Sequence, residues 1–548
     1  MKKYILDLKR EFTSYNGTKF SKDLIAGVTV AAVALPLALA FGIASGAGAS
    51  AGLVAAIIGG FITSALSGAS YQLSGPTGTM TAILALTLAK HSIQGMFIVG
   101  LIAGIIILLC GIFKLGRIVN FIPLPVITGF TSGIALIIAF GQIDSFFGTT
   151  SVGDGAVQRI ISYFANGFHI NIPNMLVGLF VVLLMIFWPK KWNGFMPSSL
   201  LGTILAIIAM MLLKLDIPTV GEIPRTIMLE NRLDIFAMKL GDITTYLSPG
   251  FSIAVLCMIE TLLCASCAGR MKKESYNTDR ELVSQGLANM ALPFFGGIPI
   301  SAVMARTSVG IKAGGITRLT GVIHSLVLLV CVLVISPIFK HLPLSALAGV
   351  LFMTAFRMND WDSIKSYFSK RMKGPISSFL VTMLATIVFD LTIAILLGIG
   401  VALVVFLFSV SKLEVSTSKI ERHKMKASDK EEHHATIEER FKDTVVVYIS
   451  GPMFFMNSQK LTEALEKVVG YNTVILSIRG VPLVDVSAMT ALSDYYEICE
   501  KNGIKLIVCG AHEKVMNKLK SYGLCDIIGN ENFYFSVDRV LTCEELNI

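Results

Sequence analysis

Two ionisable residues stand inside stretches that are otherwise apolar. Glu260 is the one charged residue in SPGFSIAVLCMIETLLCASCAG, and Arg306 lies in ISAVMARTSVG. A charge at the centre of a bilayer costs about 2.5–3.5 kcal/mol on insertion scales, so such residues face a polar cavity and have work to do there. A carboxylate in that position can carry a proton. A guanidinium supplies a fixed positive charge and the forked donors that suit an oxyanion. Another short segment, LSGPTGTMTAI, opens with Thr77, Gly78 and Thr79. If both short helices begin near the midplane, their free N–H groups and positive dipole ends meet at one point and form an anion site. The plainer readings are a hydrogen-bonded structural Glu260, and an Arg306 that snorkels to the surface or only pairs with Glu260. The hydroxyls of Thr77, Thr79, Ser301 and Thr307 could equally bond back to their own helices.

The elements that carry these residues follow from composition. Of 548 residues, 54% are hydrophobic and 15% charged, with a mean hydropathy of +0.71. That excludes an ordinary soluble enzyme and a disordered chain. Apolar runs are read near 24–45, 51–67, 76–89, 94–113, 124–142, 173–188, 198–213, 249–268, 282–296, 301–313, 317–339, 343–356, 376–389 and 391–411. These make fourteen predicted spans, some shorter than the roughly 20 residues a bilayer asks for. With the N-terminus inside, inner loops hold 22 Lys+Arg, among them Lys190, Lys191, Lys370 and Arg371, and outer loops hold 7. That bias puts both termini in the cytoplasm. The net charge of +9 divides into +13 before residue 413 and −4 after it. The basic surplus therefore reports topology, and no nucleic-acid partner is read from it.

The two halves resemble each other. FIPLPVITGF and KHLPLSALAGV share a Pro-Leu and a glycine, Pro123, Leu124, Gly129 against Pro343, Leu344, Gly349, 220 residues apart. The two Pro/Gly-interrupted segments correspond as well, with Pro76 and Pro299 223 apart. Seven spans per half is an odd number, so tandem halves insert with opposite topology. An inverted repeat with paired interrupted segments points to a secondary transporter and to its binding site. Repeat 1 is read as about 24–213 and repeat 2 as about 249–411, within a transport domain at 24–412 behind a cytoplasmic segment at 1–23.

Residues 413–435 read as a charged linker, and the adjacent His433 and His434 as part of it. From 436 to 548, alternating strand and helix patterns such as TVVVYISG, SQKLTEALEKVV and KLIVCG describe a small α/β domain. Asp485 and Ser487 sit at a predicted strand-to-helix turn, with Ser487 as the expected N-cap. Nine scattered cysteines form no disulfide framework. Cys264 and Cys267 make a CxxC inside an apolar helix, without a second pair or clustered histidines, so no redox or metal role is assigned. No removable signal peptide, cofactor motif or enzyme signature is read.

On DLIAGVTVAAVALPLALAFGIASG, LSGPTGTMTAI, IETLLCASCAG, ELVSQGLANMALPFFGGIPISAVMARTSVGIKAGGITRLTGVIH and LPLSALAGVL, the chain resembles bacterial members of the sulfate permease (SulP) family of anion transporters. IRGVPLVDVSAMTAL resembles the STAS domain that closes most such chains. The resemblance implies a polytopic α-helical membrane protein of fourteen segments in a seven-plus-seven inverted repeat. Segments 1–4 and 8–11 would form a core, segments 5–7 and 12–14 a gate, followed by a cytoplasmic α/β STAS-like domain. It implies an anion site lined by Leu37 and Phe41, by Thr79 and Met80, and by Glu260, Ala305 and Arg306. Leu37 replaces a glutamine usual in animal members, Ala305 replaces an anion-binding serine of some, and SVG follows Arg306-Thr307 where bacterial relatives often read ATN. In sigma-factor regulators with the STAS fold the serine matching Ser487 is phosphorylated. The family usually forms homodimers.

The reading is a bacterial inner-membrane secondary transporter of a small oxyanion of the sulfate, bicarbonate or C4-dicarboxylate class. It works by alternating access, with Glu260 as proton carrier. Alternatives are sodium coupling, anion exchange, a nucleobase carrier of the same architecture, whose site would pair carboxylates and against which a fixed Arg306 argues, and a membrane-anchored STAS signalling protein. Partners are the anion, the coupling ion, lipid and a second copy of the chain.

Overall fold

The computed structural model describes residues 2–116, 122–152, 156–189, 192, 196–234, 243–389, 391–419, 441–468 and 470–543. His433, His434, Lys190, Lys191 and most of the charged linker lie outside these.

Each of the fourteen predicted spans is a helix. They are α1 (Gly17–Ala44), α2 (Ala49–Leu66, with a π turn at Ala55–Gly59), α3 (Gly78–Lys90), α4 (Ile93–Ile112), α5 (Leu124–Gly141), α6 (Ile172–Phe187) and α7 (Ser198–Leu213). The second half holds α8 (Ile243–Lys272), α9 (Thr278–Ala291), α10 (Met304–Lys312), α11 (Leu319–Phe339), α12 (Leu344–Met358), α13 (Lys373–Val388) and α14 (Leu391–Val410). Only α9 and α10 are neither long nor apolar enough to rank among the membrane-crossing or shorter apolar helices. α9 is buried along most of its length, and α10 lines a cavity, the conditions under which polar or broken helices survive at membrane depth. Elsewhere the lipid-facing sides are bare hydrocarbon, as at Val330, Leu333 and Val334 of α11 and Leu396 of α14.

Helix packing repeats with the sequence. α4 lies on α8 and α9, and seven helices later α11 lies on α1 and α2. α5 lies on α13, and α12 lies on α6. The Pro-Leu motifs carry this symmetry in detail. Pro123 and Pro343 are the N-caps of α5 and α12, with φ, ψ of −65°, 141° and −66°, 137°. A Cβ on Gly129 would run into the Phe379 carbonyl of α13, and one on Gly349 would press on the Gly178 carbonyl of α6. Each glycine lets its helix approach the partner backbone closely. Segments 1–4 and 8–11 thus form one bundle and 5–7 and 12–14 a second.

The prolines of the interrupted segments correspond less simply. Pro76 follows a two-residue strand, β1 (Ser74–Gly75), whereas Pro299 precedes its counterpart, β2 (Ser301–Ala302). The helix starts Gly78 and Met304 are the matching points, 226 residues apart. A strand this short asks little of its neighbours' N–H groups, so proline is tolerated on either side of it.

The predicted N-terminal segment is a helix, Lys2–Phe12, strapped onto the core. Asp7 pairs with Arg280 at 3.0 Å and Glu11 with Arg318 at 2.8 Å. The Tyr4 ring lies against both guanidiniums.

The chain divides into two compact units at residue 402. In the second, β3 (Glu414–Lys419) pairs antiparallel with β4 (Thr444–Ser450), so the start of the charged segment is part of the sheet. β5 (Thr473–Gly480), β6 (Lys505–Cys509) and β7 (Phe533–Tyr534) follow in parallel, in the order β3-β4-β5-β6-β7. Alternate residues face opposite sides. Val445, Val447, Leu476 and Val508 pack on one side with the helices α15 (Ser458–Glu466), α16 (Val486–Lys501) and α17 (Glu513–Tyr522). Val446, Ile475 and Ile507 pack on the other side against Val540. The N-cap of α16 corrects the expectation for Ser487. Asp485 is the cap, accepting from Ala488 N at 3.0 Å, while its second oxygen accepts from Phe455 N at 2.9 Å. Ser487 falls inside the first turn, because a carboxylate at the strand end reaches two N–H groups where a hydroxyl reaches one.

Candidate functional site

β1 and β2 cross antiparallel, with Ser74 opposite Ala302 and Gly75 opposite Ser301. α3 and α10 leave this crossing from its two ends. Thr77 caps α3 through Met80 N, and its hydroxyl lies 2.8 Å from that of Thr79. α10 starts on Val303, whose side chain cannot cap, so its first N–H groups have no side-chain acceptor.

Glu260 on α8 joins the two halves. One carboxylate oxygen accepts from the Thr79 hydroxyl and the other from the Ser301 hydroxyl. Arg306 is 1% exposed. Its Nη2 donates to the Pro76 carbonyl at 3.2 Å, while Nε and Nη1 have no partner among the described residues. It forms no ion pair among the described residues, so the plainer alternative, a structural Glu260–Arg306 pair, is not what holds it. A buried guanidinium with open donors is costly unless something else fills them.

These groups end a cavity of about 690 Å³. Leu37 and Phe41 line it from α1, Thr77, Gly78 and Thr79 from α3, Glu260 from α8, and Ala305 and Arg306 from α10. Three expected residues stand behind that wall. Met80 is fully buried, Ser301 reaches Glu260 from β2, and the Thr307 hydroxyl bonds the backbone of Leu73. The opposite wall belongs to the other bundle, with Thr131, Met185, Ser199 and Arg357. Arg357 escaped the sequence reading because it ends an apolar helix and counts as a loop cation. Cys264 and Cys267 also line the cavity, both as free thiols.

Sequence reasoning also missed the residues that hold the crossing in place. Thr261 Oγ1 accepts from Ala302 N at 3.3 Å, and Gln72 Nε2 donates to the Thr261 carbonyl at 2.7 Å. Gln285 and Asn289, one turn apart on α9, grip the crossing from behind. Amides at i and i+4 inside the predicted span 282–296 were the available signal.

Two bundles related by an inverted repeat, with a paired short-helix site at their boundary, define a membrane transporter of the core-and-gate kind. The sulfate permease family signature matches residues 20–382, and the STAS domain signature matches 435–540. YvdB of Bacillus subtilis, named as a sulfate transporter, is 32% identical over 96% of this chain and 98% of its own. The bicarbonate transporter BicA of Synechocystis is 30% identical over 93% of this chain and 92% of its own. The solved transmembrane domain of a cyanobacterial BicA covers 71% of this chain and 98% of its own at a TM-score of 0.63 and 30% identity. Murine Slc26a9 shares the fold over 96% of this chain and 91% of its own, at a TM-score of 0.81 and 18% identity. The chain belongs to the sulfate permease family, and it is a transporter, not an enzyme.

Proposed function

We propose that the chain is a secondary active transporter of a small oxyanion and that it works by alternating access. The observation that carries this reading is the buried Arg306, with two unpartnered donors, beside a Glu260 that takes one hydroxyl from each repeat. The anion binds on Arg306 and the uncapped start of α10, where charge and dipole both favour it. Relatives named for sulfate and for bicarbonate support the substrate class. C4-dicarboxylates complete the panel to be tried.

Glu260 is the proton carrier in this reading. An anion on Arg306 offsets its charge and favours a proton on Glu260, and linkage makes that coupling reciprocal. Sodium is the second candidate, because the Thr77, Thr79 and Ser301 hydroxyls around the carboxylate make an oxygen set that suits a hard cation. The cavity reaches Asn359 and Asp360 past the C-terminal end of α12, the end that the Lys+Arg bias assigns to the cytoplasm. The reading is therefore an inward-open state, in a bacterial inner membrane, with both termini and the STAS domain cytoplasmic. Residues 1–23, 24–412 and 436–548 serve as N-terminal segment, transport domain and STAS domain of a homodimer. Uptake of labelled sulfate, bicarbonate and succinate into proteoliposomes, with an inward proton gradient, a sodium gradient or neither, tests it. No saturable uptake of any of the three would overturn it.

A further inference from the structure

The β1–β2 crossing has two residues on each side. A pair of strands that short does not hold its register unaided. Beside Thr261 and Gln72, it is held from behind by a helix that does not line the cavity. On α9, Asn289 Oδ1 accepts from Ile300 N at 2.7 Å, and Asn289 Nδ2 donates to the Ile300 carbonyl at 3.0 Å. The same Nδ2 donates to the Gln285 carbonyl at 3.0 Å. One turn earlier, Gln285 Nε2 donates to the Ser74 hydroxyl at 2.5 Å. Gln285, Asn289, Ile300 and Ser74 are all buried. One helix thus grips both strands, β2 through Ile300 and β1 through Ser74.

The grip is seated. A Cβ on Gly286 would meet the Leu108 backbone of α4, and one on Gly104 of α4 would meet the Met290 backbone. α9 and α4 therefore pack almost backbone to backbone, and α9 cannot shift without opening that contact. Ile300 is followed directly by Ser301, whose hydroxyl donates to Glu260. A carboxamide is the side chain that can accept from one backbone N–H and donate to the same residue's carbonyl.

We infer that Asn289 is a positioning residue of the anion and coupling site: it fixes the register of β2, and through it the Ser301 hydroxyl on Glu260. Gln285 does the same for β1 and Thr79. The inference rests on the reading of Glu260 and Arg306 as the site. Asn289→Asp keeps the acceptor, loses the donor and sets a carboxylate against the Ile300 carbonyl.

The test is a double-mutant cycle on full-length protein reconstituted in proteoliposomes, with KM and maximal rate read for whichever labelled anion the wild type takes up. Asn289→Asp is expected to raise KM about tenfold, the effect of one buried hydrogen bond. The pair Asn289→Asp with Ser301→Ala should be no worse than Ser301→Ala by more than about twofold, since neighbours acting through one contact are not additive. Effects that multiply, or a wild-type KM in folded Asn289→Asp, would overturn the inference. Should Asn289→Asp fail to fold, Gln285→Leu with Thr79→Ala gives the same cycle on β1, with the same expected and overturning results. If Ser301→Ala and Glu260→Gln both leave uptake unchanged, the site reading itself falls, and this inference with it.

Discussion

The Nη1 atom of Arg306 occupies the space that a side chain on Gly75 would fill. The glycine of LSGPTGTM is therefore a steric seat for a charge 231 residues further along the chain. Gly75→Ala should push the guanidinium out of its place. An overpacked core site costs about 1–3 kcal/mol, so the protein should still insert while its melting temperature drops by a few degrees. Uptake should be lost. Wild-type uptake by Gly75→Ala would show that Arg306 can work from another position.

Arg306→Ala should cost about 100-fold or more in uptake efficiency, since hydrogen bonds to charged groups are worth about 1.5–3 kcal/mol each and two donors stand open. Arg306→Lys keeps the charge and loses the fork, so it should restore only part of the activity. Binding of labelled anion to purified protein separates this from a slowed conformational step.

Arg357 faces the same cavity from the other bundle, with Nη2 held by the Met185 carbonyl at 2.7 Å. A cation at the cavity mouth steers an anion inward without fixing it. Arg357→Gln should raise KM about two- to fivefold at low ionic strength and much less at high salt, where screening replaces the lost charge effect. Uptake at two ionic strengths reads the difference, and a salt-independent loss would assign Arg357 to the bound state instead.

Much of this was legible in sequence, and the limits have physical causes. Helix number survived because each span is read from a local run of apolar residues. The repeat survived because Pro123 and Pro343 dictate the same cap. The strap from Asp7 and Glu11 to Arg280 and Arg318 was not legible, since charged residues at a terminus look the same whether they meet water or a partner 273 to 307 residues away. The crossing clamps were hidden for a similar reason. Gln285 and Asn289 are visible as amides in an apolar span, but their partners Ser74 and Ile300 are set by the tertiary fold. Met80 came with the family resemblance, and Ser301 and Thr307 with their hydroxyls beside the short helices; a turn of helix or a strand's alternation sets all three behind the wall.

The cap of α16 separates two neighbours that the sequence left together. Asp485→Ala removes acceptors from Ala488 N and Phe455 N and should destabilise the STAS domain by about 1–2 kcal/mol. Ser487→Ala should stay within about 0.5 kcal/mol. Hydrogen exchange in β5 and α16 of the full-length protein compares them. Equal protection loss in both would return the cap to Ser487.

Glu260→Gln tests the coupling. The amide fills the same space and can still meet the hydroxyls of Thr79 and Ser301, but it cannot gain or lose a proton. If the carboxylate carries the proton, this variant should lose accumulation driven by a proton gradient while exchange of internal for external anion continues, since Arg306 and the start of α10 are untouched. The two assays share one preparation, so loss of both reports damage to the site and not to coupling. A variant that still concentrates anion on a proton gradient would remove Glu260 from the proton path. Its pair of hydroxyls would then favour a bound cation, and sodium-dependent uptake in the wild type, lost in Glu260→Gln, would identify it.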